Sequence, residues 1–188
     1  WGGDFSITLA EHGREDVKGV LNVPIIEEEL GVKLFAAQIK NDGFVRNTTL
    51  GQDVGGDDIQ NYGFAAQWQA SDNFDIKFHY EKTLDESDQG AYVNENQGGP
   101  NGDLTCILPF TGSCASNTTD DEDHNSANGT NFGDNEYDTY ILTANYDVGD
   151  FLVTYIGSMR EMDEANNQHF DAAPANLLDM NFFNDWEQ

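Results

Sequence analysis

The chain has 188 residues, enough for one domain, and sets 8 Lys and Arg against 35 Asp and Glu for a net charge of -27; phosphate contact needs basic residues, so this balance argues against nucleic-acid binding. Mean hydropathy is -0.60 and no apolar run approaches the roughly 20 residues of a transmembrane helix, which excludes helical membrane insertion. A β-barrel is compatible with both facts, because its strands show lipid only every second residue.

Trp1 is not an initiator Met and Gln188 falls inside an apparent strand pattern, so the chain reads as a fragment. No basic segment followed by an apolar run opens it, and an export signal is expected to have been removed or to lie upstream.

Period-two alternation bounded by Gly, Asn, Asp and Pro predicts seven strands and the start of an eighth. The first covers residues 5–12 and the second, after a short connection at 13–16, residues 17–23. A turn over 24–31 leads to a strand over 32–41 with a Phe35, Ala37, Ile39 face. A long connection over 42–61 follows. The fourth strand sets Tyr62, Phe64, Ala66 and Trp68 against Gly63, Ala65, Gln67 and Gln69. After a tight turn at 70–73, the fifth sets Phe74, Ile76, Phe78 and Tyr80 against Asp75, Lys77, His79 and Glu81.

A second long connection, 83–136, carries Cys106, Cys114 and much of the acid, and the stretch between Lys82 and Arg160 has no Lys or Arg. A connection of this length points to a function or to disorder. Beyond it Tyr140, Leu142, Ala144 and Tyr146 form one face of the sixth strand. A turn at 147–150 precedes a strand over 151–159 that is apolar on both sides, with Phe151, Val153 and Tyr155 expected toward lipid and Leu152 and Ile156 inward. A third long connection is expected over 160–184, and residues 183–188 run into the eighth strand.

Consecutive antiparallel strands reverse direction, so the short turns collect at one end of the sheet and the long connections at the other, with 13–16 the exception. Outer-membrane barrels show this asymmetry, with short periplasmic turns and longer extracellular loops. Aromatic residues at both ends of the apolar faces fit girdles at the two headgroup levels. The expected fold is all-β: an antiparallel up-and-down meander of about eight strands forming part of a larger transmembrane β-barrel. A secreted acidic β-sandwich that binds calcium or carbohydrate is the alternative, since its inner faces alternate in the same way.

Several candidate sites follow from residue type. Cys106 and Cys114 are expected to pair in an oxidising compartment and to remain free thiols in the cytosol. Asp121, Asp123 and Asn125 begin like a calcium loop, but Ser126 stands where Gly is needed and Phe132 where a bidentate Glu is needed. A solvated acidic loop is the expected reading, and an irregular calcium site the alternative. His12, His79, His124 and His169 have no metal-ligand spacing, and no hydrolase, P-loop or dinucleotide fingerprint occurs, so no enzyme and no cofactor is expected. The acidic excess serves either solubility in salt or attraction of cations.

The order Gly2-Gly3-Asp4-Phe5, Gly19-Val20-Leu21-Asn22-Val23-Pro24 and Asp42-Gly43-Phe44-Val45-Arg46-Asn47 resembles the start of the barrel of TonB-dependent outer-membrane receptors. Ala70-Ser71-Asp72-Asn73-Phe74 resembles one of their periplasmic turns, and Phe183 to Gln188 the run into a further strand. The resemblance implies a barrel of about 22 strands with a plugged lumen, of which this chain supplies the first part without the plug. It also implies a bacterial outer-membrane location, a small-molecule ligand and an inner-membrane TonB-type partner that powers uptake. The family takes iron chelates, cobalamin, sugars and other solutes. A passive porin is the alternative if no plug-like domain precedes Trp1.

Overall fold

Each long strand pairs with the next long strand in the chain, so the inner strands have backbone partners on both sides and the first and last on one. A computed structural model of the chain describes residues 1–93, 124–125, 129, 131–170 and 179–188, with residues 124 and 125 as backbone only. Its strands are β1 (Gly2–Ala10), β2 (Arg14–Ile26), β3 (Leu30–Lys40), β4 (Val45–Asn47), β5 (Gln52–Val54) and β6 (Asp58–Ser71). They continue with β7 (Phe74–Asp85), β8 (His124–Asn125), β9 (Phe132–Val148), β10 (Phe151–His169) and β11 (Asp179–Glu187). An 8-stranded antiparallel sheet runs β1-β2-β3-β6-β7-β9-β10-β11, and a 3-stranded sheet runs β5-β4-β8.

The fold is therefore an all-β meander with its long strands in chain order. The connections after β2, β6 and β9 are tight turns at one end of the sheet, here termed the turn end. Gly149, at φ 62°, opens the two-residue link between β9 and β10. A hairpin with glycine first and positive φ matches the right-handed twist of its strands. The connections that enter and leave the small sheet lie at the opposite, loop end.

The strands overrun their expected bounds at the loop end. Residues 160–169, expected as loop, continue β10 and pair with β9 from Arg160↔Thr139 to Asn167↔Phe132, while β11 already begins at Asp179. β9 starts at Phe132 and β7 reaches Asp85, which shortens the connection expected over 83–136. Likewise β6 begins at Asp58 and the stretch expected as the 42–61 loop contains β4 and β5. Arg160–His169 has no apolar alternation to detect; its backbone ladder and polar cross-strand contacts, Tyr137 to Glu164 at 2.7 Å and Asn167 to Asp179 at 2.6 Å, hold it extended.

The large sheet is one layer thick. Among the described residues the buried apolar side chains are Val45 (3% exposed) and Val54 (6%), both in the small sheet. No element of the small sheet packs on the large one. The β-sandwich alternative needs a second sheet against the first, and none is present among the described residues.

Candidate membrane face and lumen wall

Directly paired residues lie on the same side of a sheet, so the register assigns every side chain to a face. One face carries Phe5, Ile7 and Leu9 of β1, Val17, Leu21 and Val23 of β2, and Val32 and Leu34 of β3. It continues through Phe64, Ala66 and Trp68 of β6 to Ile76, Phe78 and Tyr80 of β7. Tyr140, Leu142 and Ala144 of β9 and Val153, Tyr155 and Met159 of β10 complete it. These side chains stay uncovered: Phe5 is 70% exposed and Phe151, at the turn end of the same face, 76%. Soluble monomers rarely carry an apolar patch this large.

Aromatic rings bound this face. Tyr62 to Trp68, Phe74 to Tyr80 and Tyr140 to Tyr146 each place rings at the two ends of the apolar stretch of one strand. Each interval is about 20 Å along the strand at ~3.3 Å per residue, and the rings add their own length. An outer-membrane barrel shows lipid an apolar band about 25 Å tall. The rings touch across strands: Phe64 lies 6.0 Å from Tyr80, Tyr80 5.1 Å from Tyr140, and Phe74 6.0 Å from Tyr146 between centroids.

Charge begins where the apolar stretch stops. The Tyr80 hydroxyl donates to Asp138 at 2.6 Å, and the Lys82 ammonium bridges Asp138 at 3.2 Å and Glu136. Lys40, the last residue of β3, bonds Asp58 at 2.6 Å, and that carboxylate raises the ammonium's pKa. On the same side, Glu136, Asp163 and Asp185 pair across β9, β10 and β11, as do Asp138, Glu161 and Glu187. Like charges directly opposite one another repel, so this corner of the sheet is electrostatically loaded.

The other face is concave and mixes polar side chains such as Lys33, Gln67 and Lys77 with Val20, Phe35, Ile39 and Ile141. A hollow of about 620 Å³ is lined by residues of successive strands from Gly2 through Asn22, Lys33, Gln67, Lys77 and His79 to Thr143, so the sheet curls around this side. Phe35 stacks on His79 with centroids 5.5 Å apart and planes at 12°. Gly63 stands opposite Phe35 and leaves room for that ring, since a Cβ there would meet both the ring and the Tyr80 carbonyl. The Phe35, Ala37, Ile39 face read from the sequence therefore belongs to this inner side, and the outer face of β3 is formed by Val32 and Leu34. Leu152 and Ile156 also point inward, and Ile156 is 68% exposed. Farther toward the loop end, Tyr137 donates to Glu164 at 2.7 Å and Arg160 sits 4.9 Å over the Tyr137 ring.

At the loop end the Asp42–Asn47 element folds into a fixed corner. Gly43 has φ 86°, and a Cβ on it would strike the Val54 carbonyl. Asn47, 1% exposed, accepts hydrogen bonds from the Thr49 and Leu50 amides at 3.0 and 2.9 Å and so closes the turn between β4 and β5. Asp88 accepts from the Gly55 amide at 3.0 Å, and Ser87 accepts from the Asp58 amide at 3.1 Å. The first long connection is thereby tied to the start of the second. Sequence reading did not single out Asp88 or Ser87, because their role comes from a contact across about 30 residues whose only local signal is an Asp-x-Ser-Asp run.

Cys106, Cys114, Asp121 and Asp123 lie outside the described residues, and Asn125 is described as backbone alone, parallel to Asn47 in β8. His79 sits on the inner wall and His169 at the loop end, where it is buried and its amide donates to Asn131 at 2.6 Å. No group of His, Cys, Asp and Glu among the described residues has the geometry of a metal site.

No family model matches the sequence, and no curated protein matches it. Among solved structures the chain is similar to the ferric yersiniabactin uptake receptor FyuA of Yersinia pestis, with a TM-score of 0.71 at 16% identity. The match covers 99% of this chain and 26% of that receptor, so the meander corresponds to about a quarter of the larger protein. At this identity the likeness establishes the fold.

Proposed function

We propose that this chain is a section of the wall of an outer-membrane receptor that takes up a scarce solute by energy-coupled transport. One observation carries the reading: a single-layer meander whose uncovered apolar face is bounded by aromatic rings and whose opposite face mixes polar and apolar side chains and curves around a hollow. A sheet with those two faces has lipid on one side and an aqueous or polypeptide-filled lumen on the other. In this reading the turn end is periplasmic, the loop end is extracellular and the acidic loops meet the solute first. Energy coupling to a TonB-type inner-membrane protein rests on the sequence elements from Gly2 to Asn47. The likeness to FyuA makes a ferric chelate the first solute to test.

The test is fractionation and uptake with the natural gene product. The protein is expected in the outer-membrane fraction, and cells carrying it are expected to accumulate a ferric chelate until a protonophore dissipates the inner-membrane gradient. Accumulation that survives the protonophore would instead assign a passive porin.

A further inference from the structure

In a chain of net charge -27, the few cations have distinct surroundings. Arg14, Lys40, Arg46 and Lys82 are each held by a carboxylate. Lys18, Lys33 and Lys77, all on the inner face, form no hydrogen bond or ion pair among the described residues, and of the three Lys33 and Lys77 line the hollow. The cross-strand neighbours of these two are neutral: Asn22 and Ala65 flank Lys33, and Gln67 and Thr143 flank Lys77. Two carboxylates of this face have other partners, Asp75 the Asn145 amide at 3.1 Å and Glu81 the His79 ring at 3.3 Å.

The two lysines stand on β3 and β7, separated by β6, where Ala65 is opposite Lys33 and Gln67 opposite Lys77. At Gly31 nothing lies within 4 Å of where a Cβ would sit. Both lysines line the hollow of about 620 Å³, a size within the ~300–1,000 Å³ of small-molecule sites. Ile141 and Pro24 supply apolar wall beside them.

We propose that Lys33 and Lys77 form an oxyanion site on the inner wall near the turn end, which takes the carboxylate or phosphate group of a small solute while Ile141 and Pro24 contact its apolar part. The proposal rests on the reading of this face as a transport lumen, and it adds a substrate class: a solute with at least one anionic group. The two cations complement such a group directly. Acidic loops at the far end and free lysines here set opposite potentials at the two ends of the wall.

The test uses the full-length gene product in detergent, with radiolabelled citrate as probe, equilibrium dialysis at low ionic strength, and the pairs Lys33→Gln/Lys77→Gln and Lys33→Arg/Lys77→Arg. The unsubstituted protein is expected to bind citrate, the Gln pair to bind it about tenfold more weakly or worse, and the Arg pair to retain binding. Equal affinity in the unsubstituted protein and the Gln pair overturns the proposal. So does an unsubstituted protein that does not bind citrate; a melting temperature lowered by the Gln pair would then assign the lysines to carboxylates elsewhere in the polypeptide. Fractionation separates this outcome from the transport reading. Citrate binding by a protein absent from the outer membrane keeps the site and removes the transporter, whereas an outer-membrane protein without citrate binding does the reverse.

Discussion

The Phe35 ring lies nearly parallel to the His79 imidazole, 5.5 Å away between centroids, across the strand that carries Gly63. The contact spans β3 and β7, which are not hydrogen-bonded to each other, and it exists because the intervening residue has no side chain. Gly63→Ala is therefore expected to destabilise the sheet by about 1–3 kcal/mol, the usual cost of forcing atoms into filled space. Urea unfolding of the detergent-folded protein measures it; an unchanged midpoint would mean that the ring moves aside freely.

The two faces of β9 give a second prediction. Leu142 is on the apolar side and Thr143 on the inner side of the same strand. An arginine near the middle of a lipid-facing band costs about 2–4 kcal/mol, whereas lumen positions tolerate charge. Leu142→Arg should thus lower folding efficiency into vesicles sharply, and Thr143→Arg should leave it nearly intact. Equal losses for the two would reject the assignment of faces.

The paired carboxylates of β9, β10 and β11 predict a dependence on salt. Asp163 faces Glu136 on one side and Asp185 on the other, and no cation offsets Asp163 or Asp185 among the described residues. Each like-charge contact costs roughly 0.2–1 kcal/mol. Asp163→Asn should raise the melting temperature at low ionic strength, and the gain should shrink as salt rises and screens the repulsion. A gain that is independent of salt would point to a different origin.

Asn47 offers a local test. Its side chain closes the β4–β5 turn from a fully buried position. Replacing it with Ala leaves the Thr49 and Leu50 amides without that acceptor, at about 1–3 kcal/mol. Hydrogen exchange at these two amides should speed up severalfold in Asn47→Ala while exchange in β7 and β9 stays unchanged. Faster exchange throughout the large sheet would mean that the corner supports the wall itself.

These sites differ in how far the sequence discloses them. The strands around Phe64, Phe78 and Leu142 were legible because one face of each is apolar and the other more polar, which gives the residues period two. Arg160–His169 was not, because both of its faces are polar and what holds it extended, the ladder to β9 and β11 and cross-strand contacts such as Tyr137 to Glu164, is in no local pattern. Phe35, Ala37 and Ile39 show the opposite limit. Their alternation identifies a strand, but which side they occupy depends on pairing with Gly63 and stacking on His79, a relationship no local pattern contains. The Asp42–Asn47 element was visible as a resemblance, and its physical basis is Gly43 in a left-handed conformation and Asn47 as a buried cap. Lys33 and Lys77 are plain in the sequence, but their lack of partners emerges only from the register.

The register sets Asp85 of β7 opposite Asn135 of β9. The chain that joins β7 to β9 leaves at Asp85 and rejoins the sheet at Phe132, three residues before that rung, so its two ends stay close whatever its length. Closing a connection whose ends are already adjacent costs only about 0.6 kcal/mol more for each doubling of its length. The sheet is in this respect indifferent to what is inserted there: residues can be gained, lost or exchanged between the two strands without asking either to re-register.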